Sequence, residues 1–188
     1  AVEAEGGRCL SIQCDVADSA QIDHLIQTTV DTYGRIDILI NNAGIIRRVP
    51  LLDMPLDEWE LVVKTDLTSA FVVSKAVVPG MVERGSGHVI NIGSIAGHEV
   101  YPGGNVYCAS KHAAVGFDES LRLELRNQGS RVTTTIVCPY YIDTGMFDGA
   151  KTRFSFLLPI LKPEPVVRRI VKAITKNRHR LLMPWFLY

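Results

Sequence analysis

Three polar residues have the types and the spacing of a proton-transfer site. Tyr107 and Lys111 lie one helical turn apart, so on a helix their side chains share a face. A free tyrosine has a pKa of about 10, and a neighbouring cation lowers this pKa by favouring the phenolate. A tyrosine tuned in this way can exchange a proton with an alcohol or a ketone, and Ser94 could hold the same substrate oxygen. The same spacing also occurs on surface helices without any chemistry, so the pair alone is not decisive.

Further motifs accompany the pair in a fixed order along the chain. The apolar run at 37–40 leads into Asn41-Asn42-Ala43-Gly44, and a second run at 88–93 ends at Ser94. Together with Tyr107 and Lys111, this order resembles the short-chain dehydrogenase/reductase family over essentially the whole chain. The resemblance implies an NAD- or NADP-dependent enzyme that interconverts an alcohol and a carbonyl.

Hydrophobic periodicity predicts strands that alternate with helices. We expect strands at 8–15, 37–41, 88–92, 131–138 and 180–183, and helices at 19–33, 57–83, around Tyr107 and at 164–176. This alternation favours a single α/β domain, 1–188, with a Rossmann-like doubly wound parallel sheet. The carboxyl ends of parallel strands gather ligands, and Asp15, Asn42 and Ser94 each follow a predicted strand.

Composition excludes several other classes of function. The 188 residues are 47% hydrophobic, and 20 basic residues balance 20 acidic ones, so charge does not favour nucleic acid or an anionic membrane. The four cysteines, Cys9, Cys14, Cys108 and Cys138, lack metal-type spacing. With no secretory signal and no apolar run long enough to cross a bilayer, an intracellular location is expected.

One family motif is missing from the sequence. Neither Gly-x-Gly-x-x-Gly nor Thr-Gly-x-x-x-Gly-x-Gly occurs; in the family this turn presents backbone N–H groups to the pyrophosphate. The sequence is therefore expected to lack the first βαβ unit, about 30 residues or more, and with it the residue that distinguishes NAD from NADP. The edges of 8–15 and 37–41 would then be apolar and unpaired, which favours aggregation.

The resemblance also implies a role for each matching residue. Tyr107 is the catalytic acid/base, Lys111 lowers its pKa and holds the nicotinamide ribose, and Ser94 binds the substrate oxygen. The residues expected to contact the cofactor besides Tyr107 and Lys111 are Asp15 and Val16 at the adenine, Asn42 at the ribose, and Ile142 and Thr144 at the carboxamide.

Asp66 departs from the family pattern. The family usually has asparagine here, where it kinks the helix and orders a water in the proton relay. Aspartate keeps an acceptor oxygen but loses the amide donor, and an ionised Asp66 would raise the pKa of Tyr107. The alternative is a solvated helix carboxylate without a role.

Two stretches predict different substrates. Residues 81–111 resemble soluble members that act on small hydroxy acids, whereas 138–147 and 184–186 resemble retinol and hydroxysteroid dehydrogenases, which are often found at the endoplasmic reticulum or lipid droplets. We favour a bulky apolar alcohol because large apolar residues cluster between the last two strands, although Lys151 and Arg153 could bind a carboxylate there. That apolar set is Phe147, Phe154, Phe156, Leu157, Leu158, Ile160 and Leu161; these residues could equally belong to ordinary core helices.

Two further expectations concern partners. Family members commonly pair through the helix at 57–83 and the one that carries Tyr107, so a homodimer or homotetramer is expected, with Val72, Val73, Phe117 and Leu121 between subunits. The competing hypothesis, which draws on the missing glycine-rich turn and on Asp66, is a catalytically silent domain for binding or dimerisation.

Overall fold

A parallel four-stranded sheet organises the described part of the chain. The computed structural model describes residues 2–146 and 158–184. Within them the strands β1 to β4 follow the order β1-β2-β3-β4, with every neighbouring pair parallel. Their bounds are Ile38–Asn41, His88–Ile92, Thr133–Pro139 and Arg180–Met183. The predicted α/β class with a parallel sheet is therefore confirmed.

Five α-helices flank this sheet in the described residues. They are α1 Ser19–Tyr33, α2 Leu56–Val63, α3 Ser69–Glu83, α4 Asn105–Asn127 and α5 Pro163–Thr175. Local sequence explains the bounds of α1: the Asp18 carboxylate accepts hydrogen bonds from the N–H groups of Ala20 and Gln21, and Gly34 ends the helix at a positive φ of 83°.

The predicted helix at 57–83 is continuous but contains a π-helical turn. Lys64–Thr68 separates α2 from α3 without a break in the chain direction. A π-turn inserts one residue into the helix and commonly accompanies a functional site. Here it buries Asp66, the residue at which the resemblance implied a kink.

The helices cover both faces of the sheet. Ile22 of α1, Val77 of α3 and Leu125 of α4 pack with Val89 on one face, whereas Val166 of α5 lies on the other. The alternating residues of β2 and β3 explain this division, since successive side chains of a strand point to opposite faces.

The prediction that Val73 lies between subunits is wrong. Val73 is only 9% exposed and packs in the chain's own core. The reason is helical spacing, because Val73 repeats the sheet-facing positions Val77 and Met81 of α3.

The predicted strand at 8–15 is also wrong. These residues form no ladder, because no neighbouring strand pairs with them in the described chain. A strand exists only where backbone N–H and C=O groups find a partner strand. Consequently β1 is an edge strand, and its Ile38 and Ile40 are each 51% exposed on the face of the sheet that also carries Ile90.

Candidate active site

A cleft of about 400 Å³ opens at the carboxyl end of the sheet. The loop after β1, the end of β2, the start of α4 and the segment after β3 each contribute to its walls. Its lining includes Asn42, Gly44, Ser94, Tyr107, Lys111, Tyr140, Ile142, Thr144 and Met146. Six of the predicted site residues therefore meet in one cleft, as expected from their positions beyond strand ends.

Tyr107 and Ser94 approach each other across this cleft. Tyr107 lies in the first turn of α4, and both side chains are buried. Ser94 caps the short 3-10 helix Ile95–Gly97 by accepting a hydrogen bond from the Ala96 N–H at 3.1 Å. Its hydroxyl also hydrogen-bonds with Tyr107. A substrate oxygen placed between the two hydroxyls would contact both.

Lys111 is held by a buried ion pair with Asp66. The Lys111 Nζ lies 3.3 Å from Asp66 Oδ2, and these side chains are 6% and 0% exposed. It also donates to the Ile92 carbonyl oxygen at 3.5 Å and lies 5.5 Å from the centroid of the Tyr107 ring. The alternative of a solvated Asp66 is wrong, because the π-turn directs this carboxylate into the site.

The pKa of Tyr107 is raised, contrary to the expectation from the Tyr-x-x-x-Lys spacing. Burial is the largest cause; the hydrogen bond from Ser94 lowers the pKa, and the charge of Asp66 raises it again. The spacing predicts a nearby cation, but Asp66 neutralises that cation from another helix. The raised Tyr107 pKa that we expected from an ionised Asp66 is therefore found.

The predicted cofactor residues do not all lie in the main cleft. Asn42, Ile142 and Thr144 line the main cleft, and Val16 lines a smaller adjoining cavity of about 130 Å³. Asp15 lines neither, and its side chain instead closes a local turn by accepting from the Ala17 N–H at 2.9 Å.

The residues of the cleft fit the nicotinamide riboside half of NAD(P). The Lys111 ammonium and the Asn42 amide are donors suited to ribose hydroxyls, and the volume lies within the range of about 300–1,000 Å³ typical of ligand sites. A Cβ at Gly44 would lie 3.2 Å from the Lys111 Nζ, so glycine lets the loop after β1 pass close beside the lysine.

A second cavity of about 300 Å³ shares Ser94, Tyr107 and Tyr140 with the cleft. Its other walls are mostly apolar or aromatic: Ile95, Ala96, Glu99, Tyr101, Tyr141 and Leu158. Burial raises the pKa of Tyr101 to about 12. No motif in the sequence indicated a role for Tyr101, Tyr140 or Tyr141, although these tyrosines lie beside the recognised motifs.

A buried polar network lies below the cleft, and no motif in the sequence indicated it. Asn41 donates to Asn91 Oδ1 at 2.8 Å, and Asn91 donates to Asp118 Oδ1 at 2.7 Å. Thr134 donates to the other oxygen of Asp118 at 3.2 Å, and burial raises the pKa of Asp118 to about 6. The available signal was helical spacing, because Asp118 lies two turns after Lys111 on the buried face of α4.

The apolar set between the last two strands is only partly described. Leu158 lines the second cavity, Leu161 packs against the core on the α5 side, and Ile160 is exposed. The remaining four members, Phe147, Phe154, Phe156 and Leu157, lie outside the described residues, as do Lys151 and Arg153.

Comparison with known proteins gives a consistent result. The model of the short chain dehydrogenase family matches residues 1–153. The chain is 40% identical to epidermal retinol dehydrogenase 2 of Mus musculus over 99% of its length, and 39% identical to a 3-oxoacyl-[acyl-carrier-protein] reductase of Synechocystis over 88%. It covers 60% and 64% of these two proteins, so it spans about three fifths of the length of the curated relatives that it matches.

The fold has a close match among solved structures. A short chain dehydrogenase/reductase from Burkholderia phymatum, solved in complex with NAD, superposes with a TM-score of 0.84 at 24% identity, covering 96% of this chain and 72% of the other. The likeness extends over the parallel sheet and its helices, and the family model includes the segments that carry Asn42, Ser94, Tyr107 and Lys111. Because the family model matches most of its length, this chain belongs to the short-chain dehydrogenase family.

Proposed function

We propose that the full-length protein is an NAD(P)-dependent oxidoreductase that interconverts an alcohol and a carbonyl. The observation that supports this most directly is the meeting of Ser94, Tyr107 and Lys111 in one buried cleft. A bound nicotinamide would supply or accept the hydride. Nicotinamide fluorescence titration, together with turnover on alcohols and ketones, tests the proposal; absence of both would favour the silent-domain hypothesis.

The side chains of the cleft have distinct tasks in this reaction. Tyr107 donates a proton to a carbonyl oxygen or removes one from an alcohol, and Ser94 orients that oxygen by a hydrogen bond. Lys111 and Asn42 would hold ribose hydroxyls of the cofactor, while Ile142 and Thr144 would contact its carboxamide. Asp66 fixes Lys111 in position.

We infer that the substrate is a bulky apolar alcohol, such as a retinoid or a steroid. The support is the second cavity, whose walls include Leu158 and three tyrosines besides the reactive Tyr107 and Ser94 side chains. Burying one large apolar group of this kind is worth roughly 1.5–3 kcal/mol. The resemblance to retinol dehydrogenases points the same way.

A side-by-side assay should show faster turnover of retinol or a steroid than of serine or 3-hydroxybutyrate. Leu158→Ala should raise KM for the bulky alcohol by about tenfold, because it removes roughly 1–2 kcal/mol of apolar contact, and should leave KM for the small acids unchanged. Faster turnover of the small acids would instead favour the soluble hydroxy-acid dehydrogenase.

The location that we propose is the cytoplasm or the cytosolic face of the endoplasmic reticulum or of lipid droplets. Within residues 2–146 and 158–184, no helix has both the length and the apolar character needed to cross a bilayer. The second part of the proposal rests on the resemblance to retinol dehydrogenases.

We also propose a homodimer or homotetramer that pairs through α3 and α4. Phe71 is 48% exposed on this face and meets Phe117 edge to face, with ring centroids 6.5 Å apart. Leu121 and Val78 line the groove beside them. An exposed aromatic pair next to an apolar groove is suited to a self-complementary interface.

Phe71→Asp should convert the oligomer into monomers, because it places a charge in the centre of the proposed interface. Light scattering of the full-length protein measures the mass directly. Leu52→Asp is the matched control, since Leu52 is more exposed than Phe71 but lies away from α3 and α4. A monomeric parent, or equal masses for Phe71→Asp and the parent, would contradict the proposed interface.

A further inference from the structure

Asp66 and Lys111 form a closed ion pair directly beside Tyr107. Neither side chain is accessible enough for water to screen the interaction, and the 3.3 Å separation matches a direct contact. Screening by solvent is what makes most surface ion pairs weak, and that screening is absent here. The charge of Lys111 is therefore compensated at short range.

The carboxylate of Asp66 is fixed by contacts from two further elements. Its Oδ1 accepts from the Ile45 N–H at 2.8 Å, and its Oδ2 accepts from the Ser110 hydroxyl at 3.3 Å. Burial raises the pKa of Asp66, whereas Lys111 and these two donors favour its ionised form. The π-turn leaves the carboxylate no alternative partner in solvent.

The titratable and charged groups around Tyr107 come from four elements. α4 contributes Lys111 and Cys108, the π-turn contributes Asp66, the loop before α4 contributes Tyr101, and the segment after β3 contributes Tyr140 across the cavity. Burial is the largest cause that raises the pKa of Tyr107, and Asp66 and Tyr101 raise it further. The hydrogen bond from Ser94 opposes this effect.

We propose that the Asp66–Lys111 pair withholds the lysine charge from Tyr107, so that alcohol oxidation at this site reaches its full rate only at alkaline pH. This inference rests on the proposed function, because it specifies the pH range in which the same site works. It concerns the pH dependence of each direction, since at any one pH the ratio of the kcat/KM values for reduction and oxidation is set by the equilibrium constant of the reaction.

The reductive step balances with a reduced nicotinamide dinucleotide as the hydride donor. The hydride forms a C–H bond at the carbonyl carbon, and the π electrons of the C=O bond pass to its oxygen. That oxygen takes the proton from the Tyr107 hydroxyl, and solvent restores the proton to Tyr107. Oxidation needs the Tyr107 phenolate at the start, which is the form that burial and Asp66 disfavour.

Asp66→Asn separates the charge of Asp66 from its shape. The amide oxygen still accepts from the Ile45 N–H, while Lys111 loses its counter-charge. The titration can be followed by NMR in protein labelled with ¹³C at tyrosine Cζ, and Tyr107→Phe assigns the resonance. In Asp66→Asn, Tyr107 should begin to titrate at a pH at least about one unit lower than in the parent protein. The pH at which alcohol oxidation reaches half of its maximal rate should fall by a similar amount, about one pH unit.

Asp118→Asn is the matched control, because it removes another buried carboxylate of α4, which lies two helical turns from Lys111 and is hydrogen-bonded to Asn91 and Thr134 instead. It should leave the Tyr107 titration unchanged. If the asparagine variant does not fold, Asp66→Ser removes the same charge and retains a hydroxyl acceptor. An unchanged Tyr107 titration in a folded Asp66 variant would overturn the proposal. A shifted titration without turnover in either direction would instead overturn the oxidoreductase function on which it rests.

Discussion

Replacing Tyr107 with phenylalanine in the full-length protein is expected to reduce turnover by about a hundred- to ten-thousandfold in both directions, the range typical of losing a general acid–base group. The ring keeps its packing with Ala96 and Cys108, and Lys111 keeps its ion pair with Asp66. The substrate oxygen, however, loses its proton partner. Cofactor binding should be retained, because Lys111 and Asn42, the side chains proposed to hold the ribose, are unaltered.

Steady-state kinetics and nicotinamide fluorescence titration on the same preparation measure these two effects separately. Tyr101→Phe is the matched control, since it removes a different hydroxyl from the second cavity and leaves Tyr107 and Ser94 unchanged. It should cost less than about tenfold in kcat, as expected of a group outside the acid–base step. Retained turnover in Tyr107→Phe would remove Tyr107 from the mechanism.

Asp118→Ala is expected to lower the free energy of unfolding by about 3 kcal/mol or more, because it leaves two buried donors without an acceptor. Those donors are the Asn91 amide and the Thr134 hydroxyl. The network joins α4 to both β2 and β3, so its loss should destabilise the sheet and the helix together. Urea unfolding at neutral pH measures the effect.

Asp118→Asn should reveal the titration of the same carboxyl. Burial raises the pKa of Asp118 from 3.8 to about 6, so protonation stabilises the fold. This stabilisation is complete below about pH 4 and is lost as the pH rises through about 6, a change on the order of 3 kcal/mol. The asparagine variant does not titrate, so its stability relative to the parent should increase over that interval.

Urea unfolding of both proteins at pH values on either side of this interval checks the sign. Glu124→Gln, an exposed carboxylate on the same helix, should stay within about 0.5 kcal/mol of the parent at both pH values. Parallel pH profiles for Asp118→Asn and the parent would show that Asp118 does not titrate in this range.

Local sequence was sufficient to predict a structural feature wherever that feature depends on a single helix or strand. The alternation of strands and helices predicted β1 to β4, and the spacing of Tyr107 and Lys111 placed both on α4. The strand at 8–15 failed because pairing depends on a partner elsewhere, which periodicity does not report. The expectation of a lowered pKa for Tyr107 also failed, because burial raises that pKa and because Asp66 reaches Lys111 from a different part of the chain.

The buried position of Asp118 was beyond simple patterning for another reason. Binary patterns assign charged residues to the surface. A carboxylate on a core face is stable only where hydrogen-bond donors from other elements contact it. Those donors, Asn91 and Thr134, come from two strands that are distant in sequence. Their convergence is a property of the sheet order, which no single segment encodes.

The separate origins of the two cleft walls have a practical consequence for altering specificity. Tyr107 and Lys111 come from α4, whereas Tyr140, Ile142 and Thr144 follow β3. A chimera that exchanges only the segment after β3 for that of another family member would inherit a new recognition surface with its reactive groups unaltered. Libraries randomised at Tyr140 and Tyr141, with Ile142 and Thr144 kept for the cofactor, should therefore retain a high proportion of active clones while sampling different alcohols.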